Sequence, residues 1–209
     1  PAPTDEKARD RVLTKDELKA VWAASGELDS PFKQMVRLLI LTLQRRGEVA
    51  GMRWCELSAD RSLWTIPAER AKNGKAHIVH LSPQAQAILA EVHRIDACPF
   101  VFSTTAKTPV SGFSKAKNAL DEKSKVTNWR FHDFRRTGVT GLADMGFPPH
   151  VCDRLLNHVT GSIQGVAAVY QRQEFLAERK TALDAWAEYL LVVAELRQPG
   201  TNVVALLRV

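Results

Sequence analysis

The residues best suited to chemistry on a phosphate lie in one short segment, His132-Asp133-Phe134-Arg135. On a helix, His132 and Arg135 are three positions apart and share a face. A guanidinium donates two parallel hydrogen bonds to a phosphate, and an imidazole can move a proton near neutral pH. The pair is therefore suited to holding and cleaving a phosphate ester. The same four residues are also typical of an ordinary capped helix with surface charge.

A second arginine segment, Gln44-Arg45-Arg46-Gly47-Glu48, follows an apolar stretch that predicts a buried helix. Arginine at the end of such a helix can clamp an anion, and Glu48 can hold the side chain of Arg45 in place. The ordinary alternative is a solvated helix end, where arginine complements the helix macrodipole.

A lysine adjoins the dipeptide Asn73-Gly74, which is a strong signal for a hairpin turn. A flexible Lys72 at such a tip could deliver a proton to a departing oxygen. Lys75 is nearly as well placed, so position alone does not choose between the two lysines.

One more histidine and one tyrosine complete the set of reactive side chains. His158 follows an apolar helix end, where a histidine most often complements the helix dipole. Tyr170 follows a glycine-containing stretch, whereas Tyr189 lies inside a long amphipathic segment and is explained by packing. Tyr170 is therefore the better candidate for a reactive phenol.

The elements that must position these residues are mostly helical. Thr14 to Glu17 form a capping box, and Pro31 opens an apolar helix. Two β-rich segments, 63–66 and 77–81, predict an antiparallel hairpin. A turn centred on Asn73-Gly74 would pair Lys72 with Lys75 and Ile66 with Leu81. A third strand near Leu57 is a further candidate. Further helices are predicted over residues 48–52, 83–95, 111–123, 132–145, 148–157 and 174–196. The predicted fold class is α+β, mainly α-helical, with a small antiparallel hairpin at one edge.

Composition narrows the function classes. The chain has 209 residues and a formal net charge of +6. Between positions 115 and 136 there are seven lysines and arginines but only three acidic residues. This balance favours a polyanionic partner. The longest apolar stretch is too short for a membrane span, and three distant cysteines argue against a disulfide framework or a zinc ribbon. A reducing cytoplasm fits this cysteine usage.

In their order and spacing, these residues resemble the site of the tyrosine recombinases, the phage-integrase family. Four stretches carry the likeness. The first arginine box is residues 44–54, and the lysine hairpin is residues 64–74. The second box has two parts, residues 132–137 and 155–158, and the segments 169–172 and 185–190 resemble prophage and genomic-island integrases. The likeness spans residues 13–190, which is most of the chain.

The resemblance implies a mechanism for breaking and rejoining DNA. Tyr170 would attack a phosphodiester, form a 3′-phosphotyrosyl bond and release a 5′-hydroxyl. Arg45 and Arg135 would bind the nonbridging oxygens, and Lys72 would protonate the leaving oxygen. The resemblance further implies that His132 assists proton transfer to and from the tyrosine, that His158 hydrogen-bonds the phosphate, that Glu48 orients the site, and that Arg46, Lys75, Arg130 and Arg136 contact DNA. It implies no metal and no cofactor.

The resemblance also implies partners and an organisation of the chain. The expected partner is double-stranded DNA at attachment sites, bound by a tetramer of the full-length protein in the bacterial cytoplasm, at the nucleoid. A directionality factor is a further candidate partner, and no membrane is expected. Residues 1–12 are interpreted as a linker remnant, 13–195 as the catalytic domain and 196–209 as a tail.

The sequence departs from the family pattern at three places. Leu43 stands where the family often has glycine, which leaves Arg46 as a rival to Arg45. The interval from His158 to Tyr170 is slightly long, and Phe175 stands where many relatives have a second tyrosine.

Two other functions use part of the same pattern. A type IB topoisomerase would use a similar set of residues but relax DNA as a monomer without choosing a site. A DNA-binding regulator would use only the helix-turn-helix spacing of residues 132–157 and would form no covalent adduct.

Overall fold

The computed structural model describes residues 10–158 and 175–196. Tyr170 and the predicted tail beyond Leu196 lie outside these ranges. The described residues form eight α-helices, a single-turn 3-10 helix and two β-strands. These are α1 Lys15–Ser25, α2 Phe32–Thr42, α3 Arg46–Ala50, the 3-10 helix Trp54–Glu56, β1 Leu63–Ile66, β2 His77–His80, α4 Pro83–Ala90, α5 Phe113–Ser124, α6 Asp133–Asp144, α7 Pro149–Leu155 and α8 Leu176–Val193.

The core is built around α2, which is buried on nearly all sides. From Met35 to Leu43 only Arg37 is not fully buried. Helices α1, α4, α6 and α8 all contact α2. Trp186 of α8 lies in this core and donates its indole N–H to the carbonyl of Ile40 at 2.8 Å. Because most side chains of α2 are buried, other elements must surround it, as they do here.

Two predictions about helices are confirmed by their capping and burial. At the start of α1, Thr14 Oγ1 accepts a hydrogen bond from the amide of Glu17, and Glu17 Oε2 accepts one from the amide of Thr14. Helix α8 buries one stripe of side chains spaced at helical intervals. Its members are Ala182, Leu183, Trp186, Ala187 and Leu190.

The predicted register of the hairpin is wrong. Ile66 lies opposite His77 rather than Leu81, and Leu63 lies opposite His80. Pro67 ends β1, and the amide of Ala71 then bonds back to the carbonyl of Pro67, so the connection is a helical turn rather than a two-residue loop. Ten residues, 67–76, therefore join the two strands, and Lys72 does not pair with Lys75 across a tight turn.

Other predicted element boundaries also differ. The helix predicted over 83–95 ends at Ala90, where the helical bonding tightens: the amide of Val92 donates to the carbonyl of Leu89, three residues back rather than four. The possible strand near Leu57 is reduced, within the described residues, to a single bridge with Trp64. None of the helices in the described ranges is both long and apolar enough to cross a membrane.

Candidate active site

Among the predicted site residues that the structure describes, Arg135 is the most buried, at 2% exposure. It lies on α6, and its guanidinium reaches the ends of two other helices. Nη1 donates to the carbonyl of Leu43 at the end of α2, and Nη2 donates to the carbonyl of Leu156 at the end of α7, at 2.7 Å. One side chain thus caps two helix C-termini, whose last carbonyls have no partner within their own helix.

Leu43 stands where the resemblance leads us to expect glycine, and its backbone has a conformation that glycine adopts readily. Its φ is 57°, in the left-handed region where glycine is usual after a helix. Its side chain is fully buried against Gly138 of α6, where an added Cβ would come within 2.4 Å of both Leu43 methyl groups. Leucine is accommodated at this position because Gly138 leaves room for it.

Arg45, rather than its rival Arg46, lies within the site. Its Nη1 is 3.1 Å from Glu48 Oε1, and its backbone amide donates to the other carboxylate oxygen of Glu48. Arg46 is exposed, and its guanidinium lies over the ring of Phe113 at 4.5 Å. The charge of Arg45 also acts on Arg135, where it combines with burial to lower the pKa to about 10.

The two predicted site histidines lie at the rim of this arginine pair. His132 is the residue that precedes α6, and His158 follows α7, with Nε2 3.5 Å from Arg135 Nη2. Partial desolvation lowers the pKa of both histidines, and the charges of Arg135 and Arg45 lower it further. Both imidazoles are therefore neutral at pH 7, and each can accept a proton.

The C-terminal end of α7 is held by residues that the sequence analysis missed. The carbonyl of Leu155 accepts hydrogen bonds from Gln44 Nε2 at 3.0 Å and from His77 Nε2 at 3.1 Å. Because Nε2 donates, Nδ1 of His77 is free to accept, and it faces Arg179 Nη2 at 3.4 Å. Burial and the charge of Arg179 lower the pKa of His77 to about 3, so this histidine is neutral.

Lys72 and Lys75 remain alternatives, because the connection between the strands brings both to the site. The backbone amide of Lys72 lies 3.4 Å from Glu48 Oε1, and its side chain is exposed. Lys75 is also exposed and lines a small cleft with Asn157 and His158. The structure thus places Lys72 next to the residue that holds Arg45, and Lys75 next to His158.

Tyr170 lies outside the described residues, but the chain on either side of its segment is described. His158 precedes the segment. Phe175 follows it, with its ring 4.8 Å from that of His150. Beyond Phe175, Arg179 of α8 donates to the carbonyl of Ile78 in β2, and Asp184 lies 3.1 Å from His80 Nε2. Before the segment, His158 therefore lies beside Arg135. After the segment, α8 is bonded to β2 through Arg179 and Asp184.

The other predicted DNA contacts cluster at the start of α6. Arg130 is exposed, and Arg136 is half-buried with Nη1 2.8 Å from Asp133 Oδ1. Asp133 is fully buried, and its other oxygen accepts a hydrogen bond from the backbone amide of Arg130. Asp133 thus holds Arg136 and the backbone of Arg130, a role that its place in the motif does not indicate. Over residues 10–158 and 175–196, no three His, Cys, Asp or Glu side chains are grouped so as to hold a metal ion.

Residues 11–175 match the model of the phage integrase family. The chain belongs to this family. It is 32% identical over 151 residues to the prophage integrase IntA of Escherichia coli K12, covering 71% of this chain and 36% of that relative. It is 30% identical over 176 residues to the integrase of Enterobacteria phage P4, covering 74% of this chain and 39% of that relative. The chain thus spans about two fifths of the length of these integrases.

Solved structures of the family share the fold. A lambda integrase dimer bound to a COC′ core site matches with a TM-score of 0.60 at 18% identity, over 77% of this chain and 62% of that one. The XerA recombinase matches with a TM-score of 0.59 at 14% identity, over 96% of this chain and 68% of that one. The predicted fold class, a mainly helical tyrosine-recombinase catalytic domain with a small antiparallel hairpin, is confirmed.

Proposed function

We propose that this chain, within residues 13–195, is the catalytic part of a site-specific DNA recombinase that cleaves and rejoins strands through a 3′-phosphotyrosyl intermediate. The observation that carries the proposal is the pair Arg45 and Arg135: the guanidinium of Arg135 is buried within reach of the charge of Arg45, and Glu48 is the carboxylate that binds Arg45. Such a pair favours an anion between them. A phosphodiester passing through a pentacoordinate state carries the additional negative charge that this arrangement stabilises best.

Proton transfer is assigned to His132 and to one lysine. His132, neutral at pH 7, accepts the phenolic proton as Tyr170 attacks phosphorus. Lys72 protonates the 5′-oxygen as its bond to phosphorus breaks, and Lys75 is the alternative donor. His158, beside Arg135 Nη2, hydrogen-bonds a nonbridging oxygen. On rejoining, the 5′-hydroxyl attacks the phosphotyrosine and the same protons move in reverse.

The proposed substrate is double-stranded DNA at attachment sites, for integration or excision of a prophage or genomic island. The relatives support this: one solved structure is a lambda integrase tetramer bound to a Holliday junction. We propose that the present protein also acts as a tetramer on DNA in the bacterial cytoplasm, at the nucleoid, with a directionality factor as a further partner. Arg46, Arg130 and Arg136, together with whichever of Lys72 and Lys75 is not the acid, would contact the phosphate backbone.

The test is covalent capture of DNA. A pool of nicked duplexes with a randomised core is incubated with the chain in EDTA, denatured, and the DNA that remains attached to protein is sequenced. We expect an enriched core and an adduct that Tyr170→Phe abolishes. Binding without an adduct would overturn the proposal in favour of a DNA-binding regulator. Relaxation of any supercoiled plasmid without core enrichment would favour a topoisomerase.

A further inference from the structure

The loop that carries both candidate lysines is fastened to the end of α7 by a pair of asparagines. Asn73 Nδ2 donates to Asn157 Oδ1 at 2.7 Å and approaches the carbonyl of Asn157 at 3.2 Å. Asn157 Nδ2 donates in return to Asn73 Oδ1 at 3.2 Å. Two side-chain amides thus bond reciprocally across 84 positions of sequence, and we name this contact the asparagine clasp.

Each asparagine adjoins a proposed catalytic residue. Asn73 follows Lys72, and Asn157 precedes His158. One residue before Asn73, the backbone amide of Lys72 lies 3.4 Å from Glu48 Oε1, and Glu48 also holds Arg45. The loop is therefore fixed at two points, one next to Arg45 and one next to His158. Among the described residues, the side chain of Lys72 itself has no hydrogen-bond partner.

The backbone of Asn157 shows why asparagine suits this position. Its φ is 51°, in the left-handed region that most side chains avoid and that asparagine tolerates. Glycine would adopt this backbone at least as well, but it has no amide to offer Asn73. The residue thus combines a conformational requirement with a specific contact, and Asn157→Gly separates the two.

From this contact we propose that Asn73 and Asn157 are positioning residues for the leaving-group acid: the asparagine clasp sets the lysine loop against His158, so that a lysine ammonium reaches the 5′-oxygen as it departs. The inference rests on the proposed recombinase function. Loss of the clasp would leave phosphate binding by the arginines in place and would impair only the proton transfer.

The test compares two leaving groups in Asn73→Ala, Asn157→Gly and the double variant. The captured core is prepared with the ordinary 5′-oxygen or with sulfur in that bridging position. A thiolate departs without being protonated, since a thiol is a far stronger acid than an alcohol. We expect single-turnover cleavage of the oxygen substrate to fall about ten- to hundredfold in each single variant. The double variant should lose no more than Asn73→Ala alone, because Asn73→Ala already removes every bond of the clasp, together with the bond from the Lys75 amide to Asn73 Oδ1 at 3.1 Å.

On the sulfur substrate, all three variants should cleave within about threefold of the parent chain. An undiminished defect with sulfur would overturn the proposal, since the clasp would then act on something other than proton transfer. Wild-type rates on the oxygen substrate would also overturn it. Failure of the recombinase function itself is distinguishable, because the parent chain would then form no adduct with either substrate. Lys72→Ala and Lys75→Ala, measured alongside, identify the acid as the lysine whose loss is rescued by sulfur.

Discussion

Arg45 and Arg135 lie in one site but are held in opposite ways. Arg45 is partly exposed and is bound by the carboxylate of Glu48, three positions away on the same helical turn. Arg135 is 2% exposed and is bound by two main-chain carbonyls from distant parts of the chain, those of Leu43 and Leu156. The first is a local ion pair, and the second is a long-range connection between helix ends.

The difference matters because a carboxylate neutralises the charge of an arginine, whereas a main-chain carbonyl only orients the guanidinium. Glu48 binds the guanidinium of Arg45 directly, whereas Arg135, which also lies within reach of the charge of Glu48, is buried and donates to main-chain carbonyls. A buried charge without a partner ion is costly, and Arg135 shows this cost as a pKa lowered to about 10, first by burial and then by Arg45. Its Nε also lacks a hydrogen-bond partner among the described residues. An incoming phosphate would relieve both deficits, so the site is prepared for an anion.

The largest effect is expected from Arg135→Lys. A single ammonium cannot donate to the Leu43 and Leu156 carbonyls with the planar fork of a guanidinium and still bind a phosphate oxygen. We expect adduct formation to fall by about a thousandfold or more, measured as single-turnover cleavage. Arg45→Lys is the matched control. Since lysine can still pair with Glu48, its loss should be clearly smaller, and equal losses would show that the two modes of attachment are equivalent.

The next effect concerns the contact that places the Leu43 carbonyl. Gly138→Ala puts a methyl group within 2.4 Å of the Leu43 side chain, which is fully buried and cannot move away easily. We expect a loss of roughly 1–3 kcal/mol of unfolding free energy, measured by chemical denaturation, together with a loss of cleavage at temperatures where the variant is folded.

Gly141→Ala is the control for Gly138→Ala, on the same helix. Its methyl group would meet the ring of Trp186 at 2.7 Å, away from the arginine site. The control should be destabilised to a similar degree, yet when fully folded it should cleave at the parent rate. If both variants retained full cleavage, Leu43 would have no role in holding Arg135 in its active position.

Much of this arrangement could be predicted from residue types and spacing. Local patterns predicted the mainly helical character of the chain. They also predicted the segment around His132 and Arg135 and the pairing of Arg45 with Glu48. The pattern succeeded for Arg45 and Glu48 because their contact spans only three residues. The position of Arg46 over Phe113 favours Arg45 as the phosphate-binding arginine, and this choice stays a prediction.

The parts that could not be predicted depend on contacts between distant segments. Nothing local to His77 or Gln44 indicates that both bond the Leu155 carbonyl. The Asn73-Gly74 signal suggested the wrong turn centre, because Pro67 ends β1 early and Asn73 is used by Asn157 instead. Leu43 looked like a defect in the motif, although it is compensated by Gly138, 95 positions later.

A third effect tests whether His77 stabilises the fold as a buried neutral donor to the Leu155 carbonyl. The folded protein keeps His77 neutral down to about pH 3, whereas in the unfolded chain it protonates near pH 6.5. Between these values the unfolded state binds more protons, so stability falls as the pH is lowered. The contribution of His77 should decline by about 2 kcal/mol from pH 6.5 to pH 5.

His77→Gln keeps a donor for the Leu155 carbonyl and cannot titrate, so it isolates this contribution. Chemical denaturation at both pH values should show that stability falls less steeply with acid in the variant than in the parent chain. Parallel pH dependence in the two proteins would mean that His77 is not buried as a neutral donor.

The smallest effect is expected from Glu48→Gln, which sharpens the contrast between neutralising and orienting. Glutamine can still accept a hydrogen bond from Arg45, but it no longer offsets the charge of that guanidinium. It also has only one oxygen, whereas Glu48 uses both of its oxygens to accept from the backbone amides of Arg45 and Lys72. Cleavage should fall about tenfold, because both arms of the site are held less firmly. DNA binding should instead tighten and become more salt-dependent, since one negative charge beside the phosphate is gone. Titrations of core DNA at two salt concentrations, with cleavage measured in parallel, separate the two outcomes. If affinity and cleavage fell together, Glu48 would be required chiefly to keep Arg45 in place, and its charge would be incidental.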